Sequence, residues 1–208
     1  MVPTKLFYQT HSPYARKVLV AAHEIGLAER LEVIHHETSP TRPNDDVIAL
    51  NPLGKVPVLI RDDGATIFDS SVICEFLDGL HEGPKLIPEG GEARWLALRL
   101  QALAQGIADS GIAVRWEAVR RPEAVRWPVM RDAQLQKIAA ACDFIEREAE
   151  LEGVPTIGEI AVATTLSWIE FRDVCDFAAG RPRLAAWYKG FSQRPSMLAT
   201  TLEGETHD

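Results

Sequence analysis

Two short segments of the sequence place hydroxyl and acidic side chains where a helix is about to begin. Ser12 stands directly before Pro13, and a hydroxyl N-cap followed by proline is a strong helix start. Asp69 and Ser70 precede a second apolar run with helical spacing. Because the unpaired amides and the dipole of a helix N-terminus favour an anion, both segments can hold a negatively charged group. Ordinary helix capping is the alternative interpretation for each of them.

A third segment, Val56-Pro57, stands at the start of a predicted strand. Proline has no amide hydrogen, so the strand edge at Pro57 stays unpaired. The backbone N–H and C=O of Val56 can then pair with an extended peptide ligand, as in strand addition. Simple protection of the strand edge is the alternative interpretation.

The elements that position these three segments follow in the order strand, helix, strand, loop, strand, strand, helix. The first two strands need a right-handed crossover and form a parallel pair, whereas the last two form an antiparallel hairpin. One four-stranded mixed sheet covered by helices satisfies both requirements. The strands are predicted at 5–8, 31–34, 56–60 and 65–68, the helices at 13–25 and 70–80, and the loop at 38–44.

The character of the sequence changes after residue 81. Residues 81–91 contain two prolines and three glycines, which is typical of a linker. Long helical patterns without strand signals follow, and they predict an all-α second domain. Its helices are expected at 93–120, 128–150, 156–176 and 184–191. The predicted organisation is therefore an α/β domain at 1–80, a linker at 81–91 and a helical domain at 92–208.

Composition and charge exclude several classes of function. The net charge of −8, with acidic and basic residues mixed, argues against nucleic acid and anionic lipid as partners. No apolar run approaches the roughly 20 residues of a membrane span, and the N-terminus lacks the layout of a signal peptide. Three dispersed cysteines, at 74, 142 and 175, predict reduced core thiols in a cytoplasmic protein. The histidines lack HxxxH or HExxH spacing, so no metal site is predicted.

Four motifs occur in order along the chain: THSPY from Thr10, NPLGKVPVL from Asn51, FDSS from Phe68, and the capping box TIGE from Thr156. With the domain break where it falls, the chain resembles the glutathione S-transferase superfamily over nearly its whole length. NPLGKVPVL is similar to the strand-three signature of that family, and DSSVICEFL to its acidic-serine helix start. Sequences of a bacterial branch of this superfamily contain segments similar to LAQGIADSGIAVRWEAVRRP and LSWIEFRDV. The resemblance implies a thioredoxin-like N-terminal domain followed by an all-α helical bundle.

The resemblance also implies roles for the three segments. Pro57 is expected to be cis, with Val56 pairing with the cysteinyl backbone of glutathione. Ser70 would hold the glutamyl carboxylate, and Asp69 could face the α-amino group. Lys55 could pair with the glycyl carboxylate or be a solvated lysine.

Ser12 is the candidate for activating the thiol. A thiolate is the nucleophile, and a free thiol with a pKa of about 8.5 is mostly protonated at neutral pH. A hydroxyl donor at a helix N-terminus would stabilise the charged sulfur. The chain resembles serine-type transferases, which have a Ser-Pro-aromatic sequence and place their catalytic serine there. Tyr8, at a strand end, and Thr10, in the loop, are rivals. Relatives that perform thiol–disulfide chemistry carry cysteine at this position, so serine predicts no covalent redox turnover, and Cys74 is expected to be a buried hydrophobe.

The predicted function is a cytoplasmic, homodimeric glutathione transferase that conjugates glutathione, as a co-substrate, to a small hydrophobic electrophile. No permanently bound cofactor is expected. A non-catalytic glutathione-binding or protein-interaction module is one alternative, and a glutathione-dependent peroxidase or isomerase is another. By resemblance, the electrophile pocket is expected on the first helix of the helical domain, at Ile107, Ser110, Gly111, Val114 and Arg115.

Overall fold

The structure, a computed structural model, describes residues 4–204 of the chain. It divides the chain into two compact units. Of the described residues, one unit contains 4–89 and 195–204, and the other spans Gly90–Arg194. The sequence placed all of 92–208 in the helical domain, whereas the structure groups the last segment with the first unit. Helical periodicity gives no information about which unit a short terminal segment packs on.

The first unit is built on one mixed sheet, as predicted. The strands are β1 Thr4–Tyr8, β2 Leu31–His35, β3 Val58–Ile60 and β4 Thr66–Ile67, in the order β2-β1-β3-β4. The β1–β2 pair is parallel, and the β1–β3 and β3–β4 pairs are antiparallel. The helices of this unit are α1 Pro13–Glu24, α2 Asp45–Leu50, α3 Ser70–Asp78 and α8 Pro195–Leu198.

Helix α2 and the start of β3 differ from the prediction. Asn44 caps α2 by accepting hydrogen bonds from the backbone N–H groups of Asp46 and Val47, at 3.0 and 3.3 Å. This helix has only six residues, too few to show a helical period, and it was missed. Strand β3 begins at Val58 rather than Val56, because Pro57 has no N–H to add to the ladder.

The segment predicted as a linker is folded onto the end of α3 through one buried carboxylate. Asp78 accepts hydrogen bonds from the backbone N–H of Leu86 at 2.8 Å and of Ile87 at 3.0 Å. The imidazole of His81 lies 3.0 Å from the same carboxylate. Charge-assisted bonds of this kind are stronger than neutral ones, so this glycine- and proline-rich stretch has a defined path.

The second unit is all-α. Its helices are α4 Gly91–Arg115, α5 Pro128–Glu148, α6 Ile157–Phe171 and α7 Pro182–Phe191, and α4 continues into a wider π turn at Trp116–Arg120. The predicted capping box starts α6: the Gly158 N–H donates to Thr156 Oγ1 at 3.1 Å, and the Thr156 N–H donates to the Glu159 carboxylate at 2.7 Å. Helix α6 ends five residues before the predicted residue 176, and Asp173 beyond it has a left-handed φ of 49°.

Helices α4 and α6 approach each other closely at Gly111. A Cβ added there would lie 2.7 Å from Ile169 Cδ1 and 2.8 Å from Trp168 Cζ3. The two helices are also joined by the Thr165 hydroxyl, which donates to the Ala104 carbonyl at 3.3 Å. Gly111 is therefore needed for the packing of these two helices, and both side chains that it faces belong to α6.

Gly111→Ala should lower the stability of the protein, whereas Gly106→Ala on the same helix should not. Overpacking at Gly111 is expected to cost about 1–3 kcal/mol. Nothing lies within 4 Å of a Cβ at Gly106, so alanine there should add up to about 1 kcal/mol through helix propensity. Urea midpoints followed by circular dichroism provide the comparison. Equal midpoints for the two variants would contradict the close approach of α4 and α6.

Candidate functional site

The register of the sheet brings the three predicted segments to one end of the first unit. Phe7, near the end of β1, pairs with Val58, the first residue of β3. Ile67, the last residue of β4, pairs with Leu59 of β3. The chain therefore leaves β1, enters β3 and leaves β4 at the same end of the sheet. The segments at these three points are those that carry Ser12, Val56-Pro57 and Asp69-Ser70.

Ser12 is the N-cap of α1 and is 7% exposed. The backbone N–H of Ala15 donates to Ser12 Oγ at 3.2 Å, and the Ser12 N–H donates to the Gln9 carbonyl at 3.1 Å. A serine hydroxyl has one proton and two lone pairs. The cap uses a lone pair, so the hydroxyl proton remains able to donate to an anion at this helix start. The role of Ser12 in activating a thiol stays a prediction.

The two rival hydroxyls lie close to Ser12 along the chain. Tyr8 is the last residue of β1, and the centroid of its ring is 5.7 Å from that of His35. Thr10 is half-buried, and its carbonyl accepts a hydrogen bond from the Glu203 N–H at 3.2 Å. Tyr8, Thr10 and Ser12 therefore all lie between the end of β1 and the start of α1, and each stays a candidate for activating the thiol.

The Val56-Pro57 peptide bond is cis, as the resemblance implied. Val56 is buried, but it stands outside the ladder, because the last β1–β3 pair joins Phe7 to Val58. The preceding turn is fixed by Asn51, which donates from Nδ2 to the Lys55 carbonyl at 2.9 Å. The side chain of Lys55 is exposed.

Asp69 and Ser70 have different positions at the start of α3. Asp69 is the N-cap and accepts a hydrogen bond from the Ser71 N–H at 2.9 Å. Ser70 is the first helical residue and is 1% exposed. Among residues 4–204, nothing forms a hydrogen bond with Ser70 Oγ. An unsatisfied buried hydroxyl costs about 1–3 kcal/mol, so this atom indicates a polar partner at the helix N-terminus.

A hydrogen-bonded network joins the loop after β1 to the turn before Val56. Gln9 donates from Nε2 to the Thr38 carbonyl at 2.9 Å and to Glu37 Oε2 at 3.1 Å. The Thr38 hydroxyl donates to the Gly54 carbonyl at 3.0 Å. Gln9 is buried, Thr38 is half-buried and Glu37 is exposed, so the network runs from the protein interior to the surface. Sequence reasoning missed Gln9, Glu37 and Thr38, because polar residues next to strands and in loops carry no periodic signal.

Helices α1 and α3 are joined by Lys17, whose Nζ donates to Ser71 Oγ at 3.1 Å. Lys17 is buried, and its charge acts on Cys74, one turn further along α3. Burial raises the pKa of the Cys74 thiol to about 11; Lys17 opposes the rise, and Asp69 and Asp78 add to it. Cys142 is also buried, whereas Cys175 is half-buried and lies beyond α6 rather than inside a helix.

Cys74 should resist alkylation in the folded protein. With a pKa of about 11, about one Cys74 thiol in ten thousand is ionised at pH 7. Iodoacetamide at pH 7, followed by peptide mass spectrometry, should label Cys175 first and Cys74 only after unfolding in urea. Between pH 9 and 11 the Cys74 thiol keeps its proton in the folded chain and loses it in the unfolded chain. The free energy of unfolding should therefore fall as the pH rises through this range. Rapid labelling of native Cys74 would contradict its burial.

The residues predicted for the electrophile pocket lie along α4 in the helical unit. Ile107, Ser110, Gly111 and Val114 are buried, and Arg115 at the end of α4 is half-buried. A cleft of about 290 Å³ lies elsewhere in this unit, between the segment at 151–159 and α7. Its lining includes Leu151, Val154, Trp187, Phe191 and Arg194.

No cluster of histidine, cysteine, aspartate or glutamate side chains in residues 4–204 could hold a metal ion. None of the helices in that part of the chain is long and apolar enough to cross a membrane.

Comparison with known proteins defines the family of this chain. Residues 11–80 match the family model of the glutathione S-transferase N-terminal domain, and residues 100–190 match that of the C-terminal domain. The chain belongs to the glutathione S-transferase family. This confirms the predicted superfamily and the predicted thioredoxin-like and helical architecture.

Individual relatives cover almost the whole chain. A glutathione transferase family member from Pseudomonas fluorescens Pf-5, crystallised with bound glutathione, is 43% identical, with a TM-score of 0.92. The alignment covers 97% of this chain and all of that one. A second structure from that organism, with bound S-(propanoic acid)-glutathione, is also 43% identical over 96% of this chain and all of that one, with a TM-score of 0.88. The GST-like protein YibF of Escherichia coli K12 is 30% identical over 94% of this chain and 97% of its own length.

Proposed function

We propose that this protein is a glutathione transferase that binds glutathione at the end of the sheet where Ser12, Val56 and Ser70 converge. The observation that carries the proposal is the buried hydroxyl of Ser70, which has no hydrogen-bond partner within residues 4–204 and lies at the N-terminus of α3. A carboxylate would satisfy this hydroxyl and would be stabilised by the helix dipole. The glutathione bound to the Pseudomonas relative supports this choice of ligand.

The peptide part of glutathione fits the other two segments. Val56 would exchange backbone hydrogen bonds with the cysteinyl residue, because its N–H and C=O lie beyond the β1–β3 ladder. Asp69, already the cap of α3, would face the α-amino group of the ligand. The exposed ammonium of Lys55 would pair with the glycyl carboxylate, a solvated contact of small energy.

The thiol of glutathione would then lie at the N-terminus of α1. The Ser12 hydroxyl would donate to the sulfur while its lone pair continues to accept from Ala15. A hydrogen bond to a charged group contributes about 1.5–3 kcal/mol, and one pKa unit corresponds to about 1.4 kcal/mol. One such bond is therefore sufficient to lower the thiol pKa by one to two units and to populate the thiolate at neutral pH.

The chemical step would be attack of the thiolate on an electrophilic carbon. A carbon–sulfur bond forms, the leaving group departs or the π electrons shift to an adjacent atom, and the thiol proton has already passed to solvent. The S-(propanoic acid)-glutathione bound to the relative has such a carbon substituent on sulfur, which supports conjugation over redox turnover. In the helical unit, α4 would contact the electrophile, with Arg115 the more accessible of the predicted residues. A homodimer belongs to the same proposal.

Ser70→Ala should weaken glutathione binding without lowering stability. The substitution removes a buried hydroxyl that forms no hydrogen bond with residues 4–204, so the urea midpoint should stay unchanged or rise. Loss of the contact with a carboxylate should raise the dissociation constant of glutathione about tenfold, as expected for a charge-assisted hydrogen bond. Isothermal titration calorimetry measures the affinity. An unchanged dissociation constant would contradict the proposed contact between the Ser70 hydroxyl and a carboxylate of glutathione.

Ser12→Gly should lower kcat for conjugation of a halonitroarene by about ten- to a hundredfold, through loss of one charge-assisted hydrogen bond. Glycine keeps most of the N-cap preference, so stability should change little, and Ser12→Thr should retain activity. The pH profile of kcat/KM should move to higher pH in the glycine variant.

Full activity in Ser12→Gly would transfer the catalytic assignment to Tyr8 or Thr10, which Tyr8→Phe and Thr10→Val then separate. Glutathione binding without conjugation, in the wild type, would favour the non-catalytic module. Turnover of peroxides or of isomerisable substrates alone would favour a glutathione-dependent peroxidase or isomerase.

A further inference from the structure

The C-terminal tail, defined as residues 195–204, follows α1 along its length. At the C-terminal end of α1, the Ser196 hydroxyl donates to the Glu24 carboxylate. Nearer the start of α1, the guanidinium of Arg16 donates to the Met197 carbonyl at 3.0 Å and from Nε to Thr200 Oγ1 at 3.4 Å. The tail therefore runs antiparallel to α1, toward the helix start that carries Ser12.

The contact of the tail with Arg16 is shielded from water. Arg16 is 8% exposed, and Met197 and Thr200 are also buried. The Thr200 hydroxyl donates a hydrogen bond to the Ser196 carbonyl at 2.8 Å, so its lone pairs can accept from Arg16. A buried guanidinium that binds a backbone carbonyl is strongly held, because losing that partner would leave part of a charge without solvation.

Beyond Thr200 the tail reaches the loop between β1 and α1. The backbone N–H of Glu203 donates to the Thr10 carbonyl at 3.2 Å. A Cβ placed on Gly204 would lie 3.5 Å from Thr10 Oγ1. In the same loop, the carbonyl before Thr10, that of Gln9, accepts from the Ser12 N–H. Two consecutive carbonyls of the loop are thus fixed, one by Ser12 itself and one by the tail.

We propose that the C-terminal tail is a structural part of the thiol-activating site, and that Arg16 and the backbone N–H of Glu203 are positioning groups for Ser12. This inference rests on the proposed glutathione transferase function. Arg16 holds the tail on α1, the tail holds the Thr10 carbonyl, and Thr10 is separated from Ser12 by one residue. A displacement of about 1 Å at a reacting group can cost about a hundredfold in rate, so fixing this loop affects the catalytic constant rather than the affinity for glutathione.

The test removes a single hydrogen bond while the tail stays in place. Glu203→Pro lacks the amide N–H that binds the Thr10 carbonyl, and Glu203→Ala is the matched control, because it keeps that N–H and loses only an exposed side chain. The proline variant should show a kcat lowered by about fivefold, the effect of one hydrogen bond, with a higher pKa of the bound glutathione thiol in ultraviolet titration. The glutathione dissociation constant should match that of the alanine variant.

Amide hydrogen exchange of residues 9–15 without ligand supplies a readout that does not depend on the proposed function. Exchange should be faster in Glu203→Pro than in Glu203→Ala. A chain ending at Leu202, compared with one ending at Gly204, repeats the test if the proline variant does not fold. Arg16→Met should behave as Glu203→Pro does, and Arg16→Lys should retain part of the exchange protection.

Each outcome has a defined meaning. Identical exchange and identical kcat in the proline and alanine variants would overturn the proposal, and so would faster exchange with an unchanged kcat in an active enzyme. Faster exchange in a protein whose wild type does not bind glutathione would retain the positioning of the loop and reject the proposed function.

Discussion

The antiparallel register of β1, β3 and β4 is the constraint on which the candidate site depends. The pairing of Phe7 with Val58 and of Leu59 with Ile67 brings three loops from distant parts of the sequence to one end of the sheet. Two of these loops lead into helices, whose N-termini supply amides and dipoles for an anion. A slip of one residue in this register would turn every side chain of the moved strand to the opposite face. Leu6 and Leu59, both fully buried, oppose such a slip through the core.

The sequence predicted the sheet, its mixed topology and most helices, because each depends on a local or periodic signal. Serine before proline predicted the start of α1, and the TIGE box predicted the start of α6. The elements that escaped are short: α2 and α8 have six and four residues, and neither can show a repeat at helical spacing. The end of α6 was placed too late because apolar residues continue past the point where the backbone turns.

The candidate site was predicted as a set of motifs, and its supporting residues were not predicted. Ser12, Asp69 and Ser70 stand at helix starts that the sequence shows directly. Gln9, Thr38 and Lys17 support them through contacts between segments far apart in the chain, and a single sequence contains no trace of such pairs. The same holds for Gly111, which was predicted to line a pocket. The structure shows what an added methyl would meet there.

The path of the chain has a consequence for synthesis. Because residues 195–204 pack with the first unit, the helical unit is an insertion between two parts of the first. When residues 4–89 have been synthesised, all four strands of the sheet are present. Residues 195–204, which contact Arg16 and the loop at Thr10, have not yet been made. The first unit is therefore the first to be started and the last to be completed during synthesis. Residues 195–204 of this unit are synthesised only after the helical unit, so the partners that they give to Arg16 and to the Thr10 carbonyl are made last.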